Sequence, residues 1–273
     1  MLTEVRSMDL RVINFPDKVF KKYLIDNFDK DNDGEISLTE ALSITKVLCP
    51  KMGIKTIAGI EFFSNLKVLD CSRNEIEQID ISENKSLEHL SCYGNHKLWT
   101  LDVSKNTYLI SLYCGNCDIG SIDVINNKEL TILSCGFNPI DEINLLYNTK
   151  LTMLRVRRCG LDQIDLTYLK ELSFLDCSEN DIYELKLFGS PKLNYLDCRG
   201  NKSLRNVYVN QGYYIDKWFS PVKPISPEQE AYNLYNEYQN EKMFDDSWTD
   251  NEDWEDQTLD AFEGDESNKW NIE

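Results

Sequence analysis

Between residues 29 and 40 the chain spaces oxygen ligands as a hard divalent cation needs them. Asp29, Asp31 and Asp33 alternate, Gly34 follows the third aspartate, and Glu35, Ser37 and Glu40 complete the run. Three alternating carboxylates converge on one point only if the backbone bends sharply behind them, and glycine tolerates that bend. Glu35 then offers its backbone carbonyl, Ser37 acts directly or through water, and Glu40 supplies a bidentate carboxylate. Such a set suits Ca2+ over softer metals. The other residues that could do chemistry are less promising. Nine cysteines are present, and Cys114-Gly115-Asn116-Cys117 has the spacing of a redox or zinc pair. The two histidines, His89 and His96, have no serine or cysteine placed to work with them, and no phosphate loop or catalytic motif appears. The expectation is therefore a protein that is not an enzyme.

The elements around the acidic run agree with the calcium reading. Val19, Phe20, Tyr23, Leu24 and Phe28 have helical spacing before it. Ala41 to Leu48 reads as a helix after it, stopped by Pro50. This segment, Pro16 to Cys49, resembles an EF-hand, and the resemblance implies a Ca2+ site. No second loop pairs with it, which speaks against a sensor switch and against a dockerin module. A structural site is expected instead, in a helical cap that covers the open N-terminal end of the next domain.

That domain is a repeat. Leu66, Leu87, Leu109, Leu130, Leu151, Leu172 and Leu193 open matching segments 21 or 22 residues apart. Leu69, Leu90, Leu112, Leu133, Leu154, Leu175 and Leu196 form a second column, and Cys71, Cys92, Cys114, Cys135, Val156, Cys177 and Cys198 a third. Asn74, Asn95, Cys117, Asn138, Cys159, Asn180 and Asn201 form a fourth. The Leu-x-x-Leu-x-Cys stretch contains a short strand with its leucines and cysteine inward. The asparagine satisfies backbone groups where the chain turns out of the strand. The remaining ten or so residues are too few for a long return helix, so only stacking on a neighbour can bury each unit's apolar side. Eight of the nine cysteines fall in two columns. Side chains on adjacent parallel strands point the same way, which is poor geometry for a disulfide, so these read as small buried apolar groups. Cys49 lies outside the columns.

The columns resemble the leucine-rich-repeat family from about Ile54 to Val209, most closely the cysteine-containing 21–22-residue type common in Bacteroidetes and related to the internalin-like class. The resemblance implies a solenoid with a curved parallel sheet, short non-helical or 3-10 return segments and recognition of a protein or surface ligand. Outward positions on such a sheet are where a partner is expected. Ile132, Met153, Phe174 and Tyr195 form an apolar stripe, with Tyr113, Arg155, Arg157 and Arg199 beside it.

The formal net charge is -18, and from Ile225 to Glu273 there are 16 acidic residues against two lysines, a net of -14, which leaves -4 for the rest. Clustered basic residues are lacking, so nucleic acid is not an expected partner. No apolar run is long enough to span a membrane, and Met1 to Phe15 does not read as a secretory signal. The expected organisation is a lead over 1–15, the helical cap over 16–53, the solenoid over 54–209 with seven full repeats, a closing cap and linker over 210–224, a helix over 225–244 and an acidic, disordered tail over 245–273. Trp248, Trp254 and Trp270 in that tail leave two further readings open: folding onto a basic partner, or docking on the arginine-bearing strand face. A monomer is expected.

Overall fold

A computed structural model describes residues 12–209, 215 and 217–220. The expectations for the helix over 225–244 and the acidic tail lie outside the described residues.

Helix α1, Lys18–Phe28, starts where Asp17 accepts hydrogen bonds from the Val19 and Phe20 N–H groups at 2.8 and 3.0 Å. This satisfies donors that the first helical turn leaves unpaired. Helix α2, Leu38–Ser43, opens with a reciprocal box: the Ser37 hydroxyl accepts from the Glu40 N–H and the Glu40 carboxylate accepts from the Ser37 N–H. The helix expected over Ala41–Leu48 ends at Ser43, and Lys46–Leu48 is instead the first strand, β1. Ile44, Thr45 and Val47 are β-branched and favour extended backbone, and β1 finds a parallel partner in β2, Val68–Asp70.

That pairing adds a turn to the repeat. Val47 lies opposite Leu69, so Cys49 falls in line with Cys71. Cys49 is thus a member of the cysteine column, and the half-repeat Ile54–Ile57–Ile60 is the return side of a complete turn that ends in a 3-10 segment, Ile60–Phe62. The succeeding strands are β3 (His89–Ser91), β4 (Ser111–Tyr113), β5 (Ile132–Ser134), β6 (Met153–Arg155) and β7 (Phe174–Asp176). After them come β8 (Glu184–Lys186), β9 (Tyr195–Asp197), β10 (Asn206–Tyr208) and β11 (Lys217–Phe219). Nine of them make one parallel sheet in the order β1-β2-β3-β4-β5-β6-β7-β9-β11, while β8 and β10 pair on the return side. β11 places Trp218 opposite Leu196, so an aromatic residue takes the leucine place in the last described strand.

Each turn out of the strand costs backbone strain and recovers it. Lys51, Arg73, Asn116, Phe137, Arg158 and Glu179 hold φ between 51° and 58°, with Gly94 and Gly200 at the same repeat position. A non-glycine residue there costs about 1–3 kcal/mol. The asparagine column offsets that cost. The Asn180 Oδ1 accepts the N–H groups of Cys159 and Leu161, and its Nδ2 donates to the carbonyls of Val156, Cys177 and Ser178. Where the column holds cysteine, the thiol takes over part of this work: Cys159 Sγ donates to the Cys135 carbonyl at 3.4 Å. A second asparagine column, not read from the sequence, serves the return side. Asn84, Asn106, Asn127 and Asn148 are fully buried, and each donates twice to carbonyls of the preceding turn, as Asn106 does to Ile81 and Asn84.

No disulfide joins any of the nine cysteines. Burial, assisted by Asp70, pushes the Cys49 thiol up to about 12. Burial likewise raises the Cys71, Cys177 and Cys198 thiols, and these four are uncharged packing groups at neutral pH.

The helical segment is joined to the first turn through several contacts. Phe20 and Leu24 are wholly buried. The Tyr23 hydroxyl accepts the Leu48 N–H at 2.8 Å, and so occupies a donor on the edge strand. Asp17 accepts the Lys55 N–H at 2.8 Å.

Candidate functional site

The acidic loop lies between α1 and α2, so Asp29 ends one helix and Glu40 lies in the first turn of the other. Within it, Asp29 Oδ1 accepts the Asn32 N–H and Oδ2 the Gly34 N–H, and Gly34 bends at φ 82°. Asp31 and Asp33 accept N–H groups two residues on. Carboxylate oxygens of Asp29, Asp31 and Glu40 come within 4.8 Å of one another. Asp33 does not join that trio. The Glu35 carboxylate turns outward to Lys21 at 2.6 Å, which is compatible with the carbonyl-only role expected of it. Ser37 is engaged as the cap of α2. The donor set is all hard oxygen and includes a buried carboxylate, Glu40, so the residues present fit Ca2+. Burial raises the Glu40 carboxyl, but hydrogen bonds from Ser37 and the Lys30 N–H outweigh it and hold the group below the usual range. In Asp31 the Asp33 N–H pulls the carboxyl down, yet desolvation and the neighbouring Asp33, Glu40 and Asp29 leave it raised.

The strand face gathers its candidates into a row. Phe174 and Tyr195, opposite one another on β7 and β9, stack with ring centres 4.1 Å apart and planes 7° off parallel. Tyr195 also meets Phe219 at 5.7 Å. Arginines close both ends: Arg155 lies 5.0 Å over Phe174 and Arg199 4.9 Å over Phe219. Cation–π contacts of this kind contribute about 0.5–2 kcal/mol each. Arg157 and Arg158 lie on Phe137 and both pair with Glu179. Arg199 forks onto Asp197 at 2.7 and 3.0 Å.

Exposure is lower than the alternation of the sequence implies. Ile132, Met153, Phe174, Tyr195 and Arg157 are half-buried and Arg199 is exposed, but Tyr113 and Arg155 are buried. Arg155 lays its guanidinium on a ring one strand away, which is how a long side chain on a tight parallel ladder loses exposure. Asp176 and Asp197 lie in register on adjacent strands. Burial and then the Asp197 charge raise the Asp176 carboxyl, against hydrogen bonds from Ser178 and the charge of Arg157. Sequence reading missed Phe137, Glu179 and Phe219 as members of this face. Glu179 and Phe137 occupy the strained turn column, whose outward direction no hydrophobic pattern reveals. His89 sits on the same face, bonded to the Ser111 hydroxyl at 2.8 Å, and desolvation lowers its pKa to about 3, so it is neutral in the physiological range.

Residues 64–106 match the family model described as Leucine Rich repeats (2 copies). No curated protein matches the sequence. Among solved structures, the chain is similar to the functional domain of InlJ from Listeria monocytogenes, described as including a cysteine ladder: 24% identity, TM-score 0.47, over 73% of this chain and 57% of that one. It is also similar to internalin C2 of the same organism, at 20% identity and TM-score 0.48, over 71% of this chain and 92% of that one. The chain thus spans little more than half of the InlJ domain. Among the described residues no helix is long and apolar enough to cross a membrane. With the leucine, cysteine and asparagine columns aligned strand on strand and two repeats matched directly, the described residues form a leucine-rich-repeat solenoid.

Proposed function

We propose that this chain is a non-enzymatic protein-binding module that works through its strand face, with a structural Ca2+ site in the helical segment at its N-terminal end. The observation that carries the reading is the row Arg155, Phe174, Tyr195, Phe219 and Arg199: stacked rings ended by guanidinium groups, on the face opposite the return segments. Aromatic and arginine side chains held rigid before contact lose little entropy on binding and are favoured as anchors. The partner is a protein or surface ligand of unassigned identity. A partner captured by cross-linking is expected to lose at least tenfold in affinity, about 1.4 kcal/mol, for the variant carrying Arg155→Glu and Phe174→Ala. Unchanged affinity would move the site off this face.

A second reading has an observation in its favour. Glu179 and Asp197 already pair with Arg157, Arg158 and Arg199, as in a surface whose charges serve the fold alone. On that reading the chain is a structural or calcium-binding protein without a dedicated partner site, and the same double variant would leave partner binding intact.

The calcium part is carried by the convergence of Asp29, Asp31 and Glu40 in a loop bent at Gly34. Bound Ca2+ would neutralise their mutual repulsion, held by these three carboxylates with Asp33, the Glu35 carbonyl and Ser37. Binding to the folded state alone stabilises it by about 2.7 kcal/mol when calcium stands a hundredfold above its dissociation constant. Chelation with EDTA is therefore expected to lower the melting temperature by several degrees, and Asp29→Ala with Glu40→Ala to abolish the difference between chelated and calcium-loaded protein. A melting curve indifferent to EDTA would refute the site.

A further inference from the structure

We propose that the segment Val12–Asp17 is a clasp that couples calcium occupancy of the loop to the first turn of the solenoid, an inference that rests on the calcium reading above. The clasp is short and touches every part it would have to connect. Val12 forms an antiparallel bridge with Ser37, and the Ile13 N–H donates to the Ile36 carbonyl at 3.0 Å. Ile36 is fully buried and follows Glu35 directly, so the peptide linking them carries the carbonyl expected to face the cation. Fixing Ile36 by its side chain and its carbonyl orients that peptide.

The other end of the segment holds the solenoid. Phe15 is 4% exposed and meets Phe20 of α1 and Phe63 of the first turn edge-on, at 5.8 and 6.2 Å. The fit is close: a Cβ built on Gly59 would lie 2.5 Å from the Phe15 ring. Asp17 then divides its carboxylate, Oδ1 capping α1 and Oδ2 accepting the Lys55 N–H. Six residues therefore tie the ligand loop, helix α1 and the first turn together, without contributing a ligand of their own.

Linkage makes the consequence reciprocal. If calcium favours the ordered loop and the clasp favours the same backbone, each strengthens the other by one common factor. The clasp also meets the ordering entropy of the loop before the ion arrives. A single loop without a second to pair with would gain from this device, since its own lead segment occupies the edge of Ile36.

The test is titration of the full chain with Ca2+ alone, followed by calorimetry, on wild type and Phe15→Ala, together with hydrogen exchange of the Ile13 amide with and without the ion. The expected result is a dissociation constant at least tenfold weaker in Phe15→Ala, although no ligand is altered, and slower Ile13 exchange on calcium loading of wild type. If wild type takes up no calcium, the calcium reading fails and the clasp fails with it. If wild type binds while Phe15→Ala binds equally well and Ile13 exchange ignores the ion, the clasp alone is overturned. Should Phe15→Ala not fold, the exchange of Ile13 in wild type decides.

Discussion

Asn180→Ala is expected to destabilise the solenoid by about 4 kcal/mol, because each buried donor or acceptor left without a partner costs about 1–3 kcal/mol. The side chain holds two N–H groups and three carbonyls drawn from two turns. An alanine methyl replaces none of them, and the site lies too deep for water to substitute freely. Glu179, immediately before it, sits at φ 54°, and loses the hydrogen-bond cage that makes this conformation tolerable. Asn180→Cys is expected to cost clearly less, since Cys159 occupies the same column with its thiol bonded to the Cys135 carbonyl. Urea denaturation followed by circular dichroism measures both. A loss below about 1 kcal/mol for Asn180→Ala, the scale of one ordinary hydrogen bond, would show that the column is not what holds the turn.

The second large effect is expected at Gly189. In the two turns before, the same position carries Tyr147 and Tyr168, so nothing in the repeat demands glycine there. The structure does: a Cβ on Gly189 would fall 2.6 Å from the Thr167 Cα and against the Leu166 carbonyl. Both are backbone atoms, which cannot rotate away, so the turn Leu187–Ser190 has to lift off its predecessor. Gly189→Ala is expected to cost about 3 kcal/mol, the upper range for overpacking. Gly120→Ala is the control, with nothing within 4 Å of its Cβ, and is expected to be neutral or slightly stabilising. Equal melting temperatures for the two variants would contradict the close approach.

How far the sequence reveals this molecule depends on whether a residue's job is written in its type. Leucine, cysteine and asparagine recur because each column asks for one size and one hydrogen-bonding capacity, so the turns from Leu66 onward are legible. The first turn is not. Ile44 and Val47 stand in leucine places, only Cys49 keeps the residue type of its column, and Pro50 imitates a helix stop. The last described strand is legible as an aromatic capping strand but not as a repeat, because Trp218 stands in a leucine place. Asn84, Asn106, Asn127 and Asn148 look like ordinary turn residues, because asparagine is common in turns whether or not it is buried. The acidic loop is legible as a spacing, and the meeting of Asp29, Asp31 and Glu40 follows from it, whereas the segment from Val12 to Asp17 has no motif at all. The strand face is legible only as a set of residues. Which arginine lies on which ring, and that Tyr113 and Arg155 are buried, depend on packing between strands that alternation along a single strand does not encode.

The asparagine contacts also have a direction. Asn95, Asn138, Asn180 and Asn201 each reach back to close backbone groups of the turn before: Asn201 Oδ1 takes the Ile182 N–H, and Asn138 Oδ1 that of Ile119. Asn106, Asn127 and Asn148 do the same on the other side. Where these asparagines stand, a turn is therefore finished by its successor. While such a chain is being synthesised, from the helical end onward, the newest turn is always incomplete, waiting for a side chain about 20 residues further on that has yet to be added. Assembly proceeds like knitting, where each row is secured only when the next is cast, and the open row travels with the growing end.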